Sequence, residues 1–207
     1  MSDNFSVFLV DDDPSVLKAL KRLLTAKGYD TKSFTSPKEF LASHDPALPG
    51  CAVVDLAMPE LDGLAVQQAL SNQLSDRQVI FLSGRGSVQS TVRAMQAGAV
   101  DFLEKPVNCE DLLSAVARAA ARDGQLRKTH DEQQSIQDRV KRLTPREFEV
   151  LRHVIAGRLN KQIAGDLGTV EKTIKVHRSR MMAKMRVRTV AELVRLTEKI
   201  DLQPVVR

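Results

Sequence analysis

Four short apolar runs in the first half of this chain each stop at a residue that carries charge or a hydroxyl. Val7-Phe8-Leu9-Val10 leads into Asp11-Asp12, and Ala52-Val53-Val54 leads into Asp55. Val79-Ile80-Phe81-Leu82 leads into Ser83, and Phe102-Leu103-Glu104 leads into Lys105-Pro106. As parallel strands of one sheet, these runs would converge at their C-terminal ends on a single crevice, where open α/β sheets place their chemistry. Three carboxylates, a hydroxyl and an ammonium then meet there. That grouping suits a divalent cation and a phosphoryl group.

The spacing between the runs supports such a sheet. Strands are expected at roughly Ser6–Val10, Asp30–Phe34, Cys51–Asp55, Gln78–Ser83 and Asp101–Glu104, with helical periodicity between them, as in Val16, Leu17, Leu20, Leu23 and Leu24. Asp13-Pro14 supplies an N-cap and a proline at the first helical position, and Gly28 can close the same helix. Ser36-Pro37-Lys38-Glu39 has the form of a capping box. Five βα units of this length imply a five-stranded parallel, doubly wound α/β domain with helices on both faces.

The 207 residues leave room for a second small domain. Charge separates the two parts. Residues 1–122 carry 12 basic against 15 acidic side chains, whereas residues 144–207 carry 14 against 7. A basic C-terminal third points towards a polyanion, although a solvated basic face would look the same by charge alone. No apolar run approaches the roughly 18 residues needed to span a bilayer, and Met1-Ser2-Asp3-Asn4 lacks the regions of a signal peptide. A cytoplasmic location without membrane contact is therefore expected. Cys51 and Cys109 fit no metal spacing and read as free thiols.

A helical pattern begins near Asn108 and can continue through Asp123–Arg142, interrupted only by Gly124. Its sparse apolar residues, Leu126, Ile136, Val140 and Leu143, describe a solvated helix or a partly coiled linker; a coiled-coil dimer stalk stays open as the weaker alternative, since the heptad seam does not persist. This divides the chain into residues 1–121, a linker at 122–142, and residues 143–207. Thr144-Pro145-Arg146-Glu147 forms a second capping box, and four short helices follow at about Pro145–Ala156, Lys161–Leu167, Glu171–Met185 and Val190–Lys199.

At the crevice, Asp11, Asp12 and Asp55 can hold Mg²⁺, which favours carboxylates together with waters and a phosphoryl oxygen. Asp55 can serve as a nucleophile that forms an aspartyl phosphate. Lys105 can neutralise phosphoryl oxygens and Ser83 can donate to them. Taken singly, each has a plainer role: acids after strands cap helices, Ser83 can be a turn residue and Lys105 a surface charge. Their joint placement at strand ends favours the chemistry.

The motifs Val10-Asp11-Asp12, Val54-Asp55-Leu56-Ala57-Met58-Pro59, Leu61-Asp62-Gly63, Leu82-Ser83-Gly84 and Phe102-Leu103-Glu104-Lys105-Pro106 resemble the receiver domain of bacterial two-component response regulators over about residues 5–120. The resemblance implies a flavodoxin-like fold in which Asp55 accepts a phosphoryl group from a sensor histidine kinase. It implies Mg²⁺ on Asp11, Asp12, Asp55 and the backbone carbonyl of Ala57. It also implies that Ser83 and Phe102 switch together and that Lys105-Pro106 is cis. Ala57 and Arg85 stand at positions that vary in that family and set the phosphate lifetime. Ala57 offers no polar group to an attacking water, and Arg85 can either shield the phosphoryl group or point to solvent.

In the C-terminal part, Lys161–Leu167, a turn at Gly168-Thr169-Val170 and Glu171–Met185 form a helix-turn-helix pattern. Lys172, Lys175, Val176 and Ser179 fall on one face of the second helix, with Ile174, Met181 and Met185 towards the other. His177, Arg178, Arg180 and Lys184 flank the first face and suit backbone phosphates, and Thr173 sits among them. Leu143-Thr144-Pro145-Arg146-Glu147, Asn160-Lys161-Gln162-Ile163-Ala164 and Thr173-Ile174-Lys175-Val176-His177 resemble the LuxR/NarL-type helix-turn-helix, a four-helix domain. Ser179 stands where some members carry a basic reading residue, so their base preferences do not transfer.

Together the two resemblances imply a response regulator of the NarL/FixJ class. The expected reading is a phosphorylation-controlled transcription factor, an activator that dimerises on phosphorylation through the face of the helix Ser87–Ala97. Its expected partners are a sensor histidine kinase, double-stranded promoter DNA and, for activation, RNA polymerase. Two rivals stay open. One is an enzyme turning over small phosphate compounds through Asp55, and the other is a constitutive DNA-binding protein with an inert receiver.

Overall fold

The computed structural model describes residues 5–59, 61–72, 75–84 and 88–205. The chain divides into two compact units, residues 1–127 and 128–207. In the first, five strands form one parallel sheet: β1 (Ser6–Val10), β2 (Asp30–Phe34), β3 (Gly50–Asp55), β4 (Gln78–Ser83) and β5 (Asp101–Glu104). Their order is β2-β1-β3-β4-β5, the doubly wound arrangement that the alternation of runs implies. β3 begins one residue earlier than expected, at Gly50. A side chain there would strike the Ser6 carbonyl oxygen at 2.2 Å, so glycine lets β3 lie against β1.

The apolar runs are continuous because both faces of the sheet are covered. Odd positions of β1 (Val7, Leu9), with Cys51, Val53, Ile80 and Leu82, pack under α1 (Pro14–Ala26) and the first turns of α5 (Cys109–Lys141). Even positions (Phe8, Val10), with Ala52, Val54, Val79 and Phe81, pack under α2 (Pro37–Ser43), α3 (Gly63–Asn72) and α4 (Val88–Gln96). β1, β3 and β4 are buried throughout, whereas edge strand β2 exposes Asp30 and Lys32. Charged side chains on an open edge discourage pairing with another chain.

Helix punctuation follows the expected residues. The Asp13 side chain accepts from the Ser15 N–H, Pro14 occupies the first turn of α1, and Gly28 closes it at φ +85°. The Ser36 hydroxyl caps α2 by accepting from the Glu39 N–H. Helix α5 runs unbroken from Cys109 to Lys141, through Gly124. Cys51 is buried and Cys109 exposed, and both are free thiols.

The second unit contains α6 (Pro145–Ile155), α7 (Asn160–Asp166), α8 (Glu171–Met185) and α9 (Val190–Glu198), packed on the last turns of α5. Its core gathers Ile136, Val150, Leu151, Val154, Ile163, Ile174, Met181, Met185 and Leu193. Thr144 and Glu147 form the reciprocal capping box of α6. No helix among the described residues is long and apolar enough to cross a membrane.

Candidate functional site

Register brings the acidic residues together. Val10 lies beside Val54, so Asp11 and Asp55 leave adjacent strands at the sheet's C-terminal edge, where strand order reverses between β1 and β3. Asp55 is level with Leu82, and Ser83 with Glu104, which places Ser83 and Lys105 on the far side of Asp55. The Leu56 N–H donates to the Leu82 carbonyl and the Lys105 N–H to the Ser83 carbonyl, tying the three exits to one another. The Lys105-Pro106 peptide is cis, as the resemblance implies.

Asp11 and Asp55 are 1% and 4% exposed, while Asp12 faces solvent. Carboxylate oxygens of all three lie within 4.8 Å of one another. The Lys105 ammonium bridges the buried pair, at 2.6 Å from Asp11 Oδ2 and 2.8 Å from Asp55 Oδ1. Backbone N–H groups also donate: Asp13 to Asp11 Oδ1 at 2.9 Å and Ala57 to Asp55 Oδ2 at 3.2 Å. Burial raises the Asp11 carboxyl above its ordinary range, outweighing the pull of Lys105. Burial also works against the Lys105 charge, but its bonds to Asp11 and Asp55 hold the ammonium above its usual pKa.

The loop after β3 is seated by Gly63, whose N–H donates to the Leu56 carbonyl. A Cβ there would come within 2.6 Å of the Asp55 carbonyl oxygen and 2.9 Å of the Phe81 ring. The backbone next to the acid cluster therefore approaches α3 as closely as only glycine permits. Ser83 is buried at 2% exposure. Phe102, half-buried on β5 beside Phe81, packs on the core face that also carries α4. Arg85 and Ser87 lie outside the described residues. Three clustered carboxylates with oxygen-only donors fit a hard cation such as Mg²⁺, and an ammonium beside them fits an incoming phosphoryl group.

In the second unit, α7 and α8 meet through Ile163, Ala164 and Ile174, with Gly168 at φ +59° in the turn between them. Ile174, Met181 and Met185 anchor α8 inward, as expected. Lys172, Lys175, Val176, Ser179 and Arg180 are exposed, and Thr173, His177 and Arg178 half-buried. Lys175 pairs with Glu171 one turn earlier at 3.1 Å, and the Arg178 guanidinium donates to Asn160 on α7 at 2.9 Å. Lys184, on the same flank, also makes a tertiary contact within the second unit. It bonds the buried Glu147 carboxylate at 2.6 Å, which holds that carboxyl below its ordinary range. Leu159 and Val170, before the first turns of α7 and α8, are strongly exposed apolar residues that the periodicity of the helices does not single out.

The comparisons agree with this division. Residues 7–117 match the response regulator receiver domain, and residues 141–197 match the luxR family of bacterial regulatory proteins. The response regulator TodT of Pseudomonas putida is 39% identical over 97% of this chain and 88% of its own length. The transcriptional regulator FixJ of Rhizobium meliloti is 36% identical over 93% and 95%, and nodulation protein W of Bradyrhizobium diazoefficiens is 38% identical over 95% and 86%. The solved structure of the response regulator StyR covers 95% of this chain and 99% of its own at 39% identity, with a TM-score of 0.85. With an acid cluster at the switch point of a receiver sheet in its first unit and an exposed helix-turn-helix in its second, this chain belongs to the DNA-binding response regulators of the NarL/FixJ class.

Proposed function

We propose that Asp55 is the phosphoacceptor of this regulator and that its phosphate controls transcription from promoter DNA. The observation that carries this reading is the Lys105 ammonium held against both Asp11 and Asp55. An Asp55 oxygen attacks the phosphorus of a phosphohistidine on a sensor kinase, the N–P bond breaks, and the histidine recovers its proton from solvent. Asp11, Asp12, Asp55 and the Ala57 carbonyl would hold Mg²⁺, which neutralises charge on the transferring group when bound. Lys105 and Ser83 receive the phosphoryl oxygens. Ala57 lacks a group that could position water for hydrolysis, which favours a long-lived phosphate.

The phosphate adds about two negative charges to a buried crevice. Ser83 and Phe102 respond together, and the change reaches α4, where Val92 and Met95 are 47% and 44% exposed. These apolar side chains form the homodimer face. The dimer presents two copies of α8 to half-sites about one helical turn apart. Lys175, Val176 and Ser179 read base edges, while Lys172, Thr173, His177, Arg178 and Arg180 engage phosphates. Residues 122–142 serve as the linker, the protein acts in the bacterial cytoplasm, and its output is activation in concert with RNA polymerase.

Incubation with a small phosphodonor and Mg²⁺ tests the reading. Wild type should reach stoichiometric phosphorylation and dimerise, and Asp55→Asn should do neither. Continuous turnover of donor without an accumulating phosphoprotein would contradict it.

A further inference from the structure

The face of α5 that packs on the sheet changes character along its length. Leu112, Ala115, Val116 and Ala119 join the receiver core. The next residues on the same stripe, at the i+4 and i+8 positions after Ala119, are Asp123 and Arg127. Asp123 is 5% exposed and Arg127 half-buried, so the contact continues without apolar side chains.

What receives them is the segment from Asp45 to Leu48, between α2 and β3. Arg127 donates to the carbonyls of Ala47 at 2.8 Å, Pro46 at 3.0 Å and Leu48 at 2.6 Å, while its Nε bonds Asp123 at 2.9 Å. Arg77, buried at the start of β4, donates to Leu48 at 2.8 Å and Asp45 at 2.7 Å. Its guanidinium also lies 4.7 Å from the centre of the Phe8 ring. Two guanidinium forks thus take up four consecutive backbone carbonyls. The Asp123 carboxylate orients Arg127, and the forks suit this role because each presents several donors in fixed geometry.

Two further features give the clamp a task. The clamped segment runs straight into β3, whose opposite end is Asp55. Gly124, a poor helix former, lies between Asp123 and Arg127 with open space around it, so α5 is intrinsically weakest where the clamp grips it.

We propose that Arg127, oriented by Asp123, is a positioning residue that extends the receiver's hold on α5 by two turns beyond its apolar core. Through this hold, phosphorylation of Asp55 is passed to the linker helix. The second statement rests on the reading of Asp55 given above, whereas the first does not.

Hydrogen exchange and DNA binding of the full-length protein test both. In Arg127→Ala, phosphorylation yield should match wild type, and amides of residues 120–130 should exchange about tenfold faster, as expected on losing a set of tertiary hydrogen bonds. The ratio of promoter affinities with and without phosphodonor should fall towards one. Arg127→Lys keeps the charge but not the fork and should fall between. Adding Gly124→Ala to Arg127→Ala should restore slow exchange without restoring the affinity ratio, which separates anchoring from helicity. Unchanged exchange in Arg127→Ala would overturn the clamp. Faster exchange with an unchanged affinity ratio would overturn its role in signalling. A wild-type ratio of one would instead overturn the Asp55 reading, with the exchange result still deciding the clamp.

Discussion

Lys105 is the residue on which the acid cluster most depends. It is the cation shared by two buried carboxylates, and removing it would leave both facing each other in a poorly solvated crevice. Lys105→Ala should slow phosphorylation by a small donor by about 10²-fold, the scale of losing one fixed charge partner of a developing anion, as measured by the rate of phosphoprotein formation. A second residue-scale expectation concerns His44. Burial, aided by the nearby Arg77 charge, lowers its pKa from 6.5 to about 4, so it stays neutral in the folded receiver. The unfolded chain therefore binds an extra proton between those values, and stability present above pH 6.5 is lost as pH falls towards 4. Receiver melting temperature should decline over that window, and His44→Asn should flatten the decline. An equal slope in both proteins would contradict the assignment. Asp11, Asp55 and Lys105 were legible in the sequence because each ends an apolar run. His44 and Arg77 were not, since their burial comes from contacts some thirty residues away that leave no local periodicity.

Elements were legible where local chemistry and burial agree. β1, β4 and β5 begin and end where apolar runs meet charged or hydroxyl residues, and capping residues mark the starts of α1, α2 and α6. The partner of Lys184 was not legible, for an instructive reason. A helical wheel orders the residues of α8 around its axis but does not say that the Glu147 carboxylate on α6 reaches one of them. That bond joins the capping box to α8, so two substitutions should act on the same unit. Thr144→Ala should cost about 1 kcal/mol through the lost cap. Glu147→Gln should cost about 2 kcal/mol, near the low end for an ion pair whose Lys partner can still reach water. Because Lys184 holds the Glu147 carboxyl low, its contribution is complete above pH 4.5 and is lost as pH falls through the folded-state value. Thermal unfolding of the second unit should therefore be more acid-sensitive in wild type than in Glu147→Gln.

For the whole molecule, the charge asymmetry of the sequence falls between the two units, with the acid cluster in the first and the basic face of α8 in the second. On the proposed function, input and output are chemically distinct: one phosphoryl group at Asp55, and the cationic side chains of α8 meeting a polyanion. Lys172→Ala should weaken binding to all DNA sequences and lower the salt dependence of binding by about one phosphate contact, whereas Val176→Ala should act chiefly on sequence preference. The length of α5 lay within the periodicity, but its anchoring by Arg127 did not, because a lone arginine on a polar stretch reads as solvated until its carbonyl partners are seen. The central claim is that phosphate on Asp55 governs DNA binding. Footprinting on genomic promoter fragments, with and without phosphodonor, tests it most directly. Wild type should protect paired half-sites at markedly lower protein concentration when phosphorylated, and Asp55→Asn should ignore the donor. Protection that is the same in all four conditions would contradict the account.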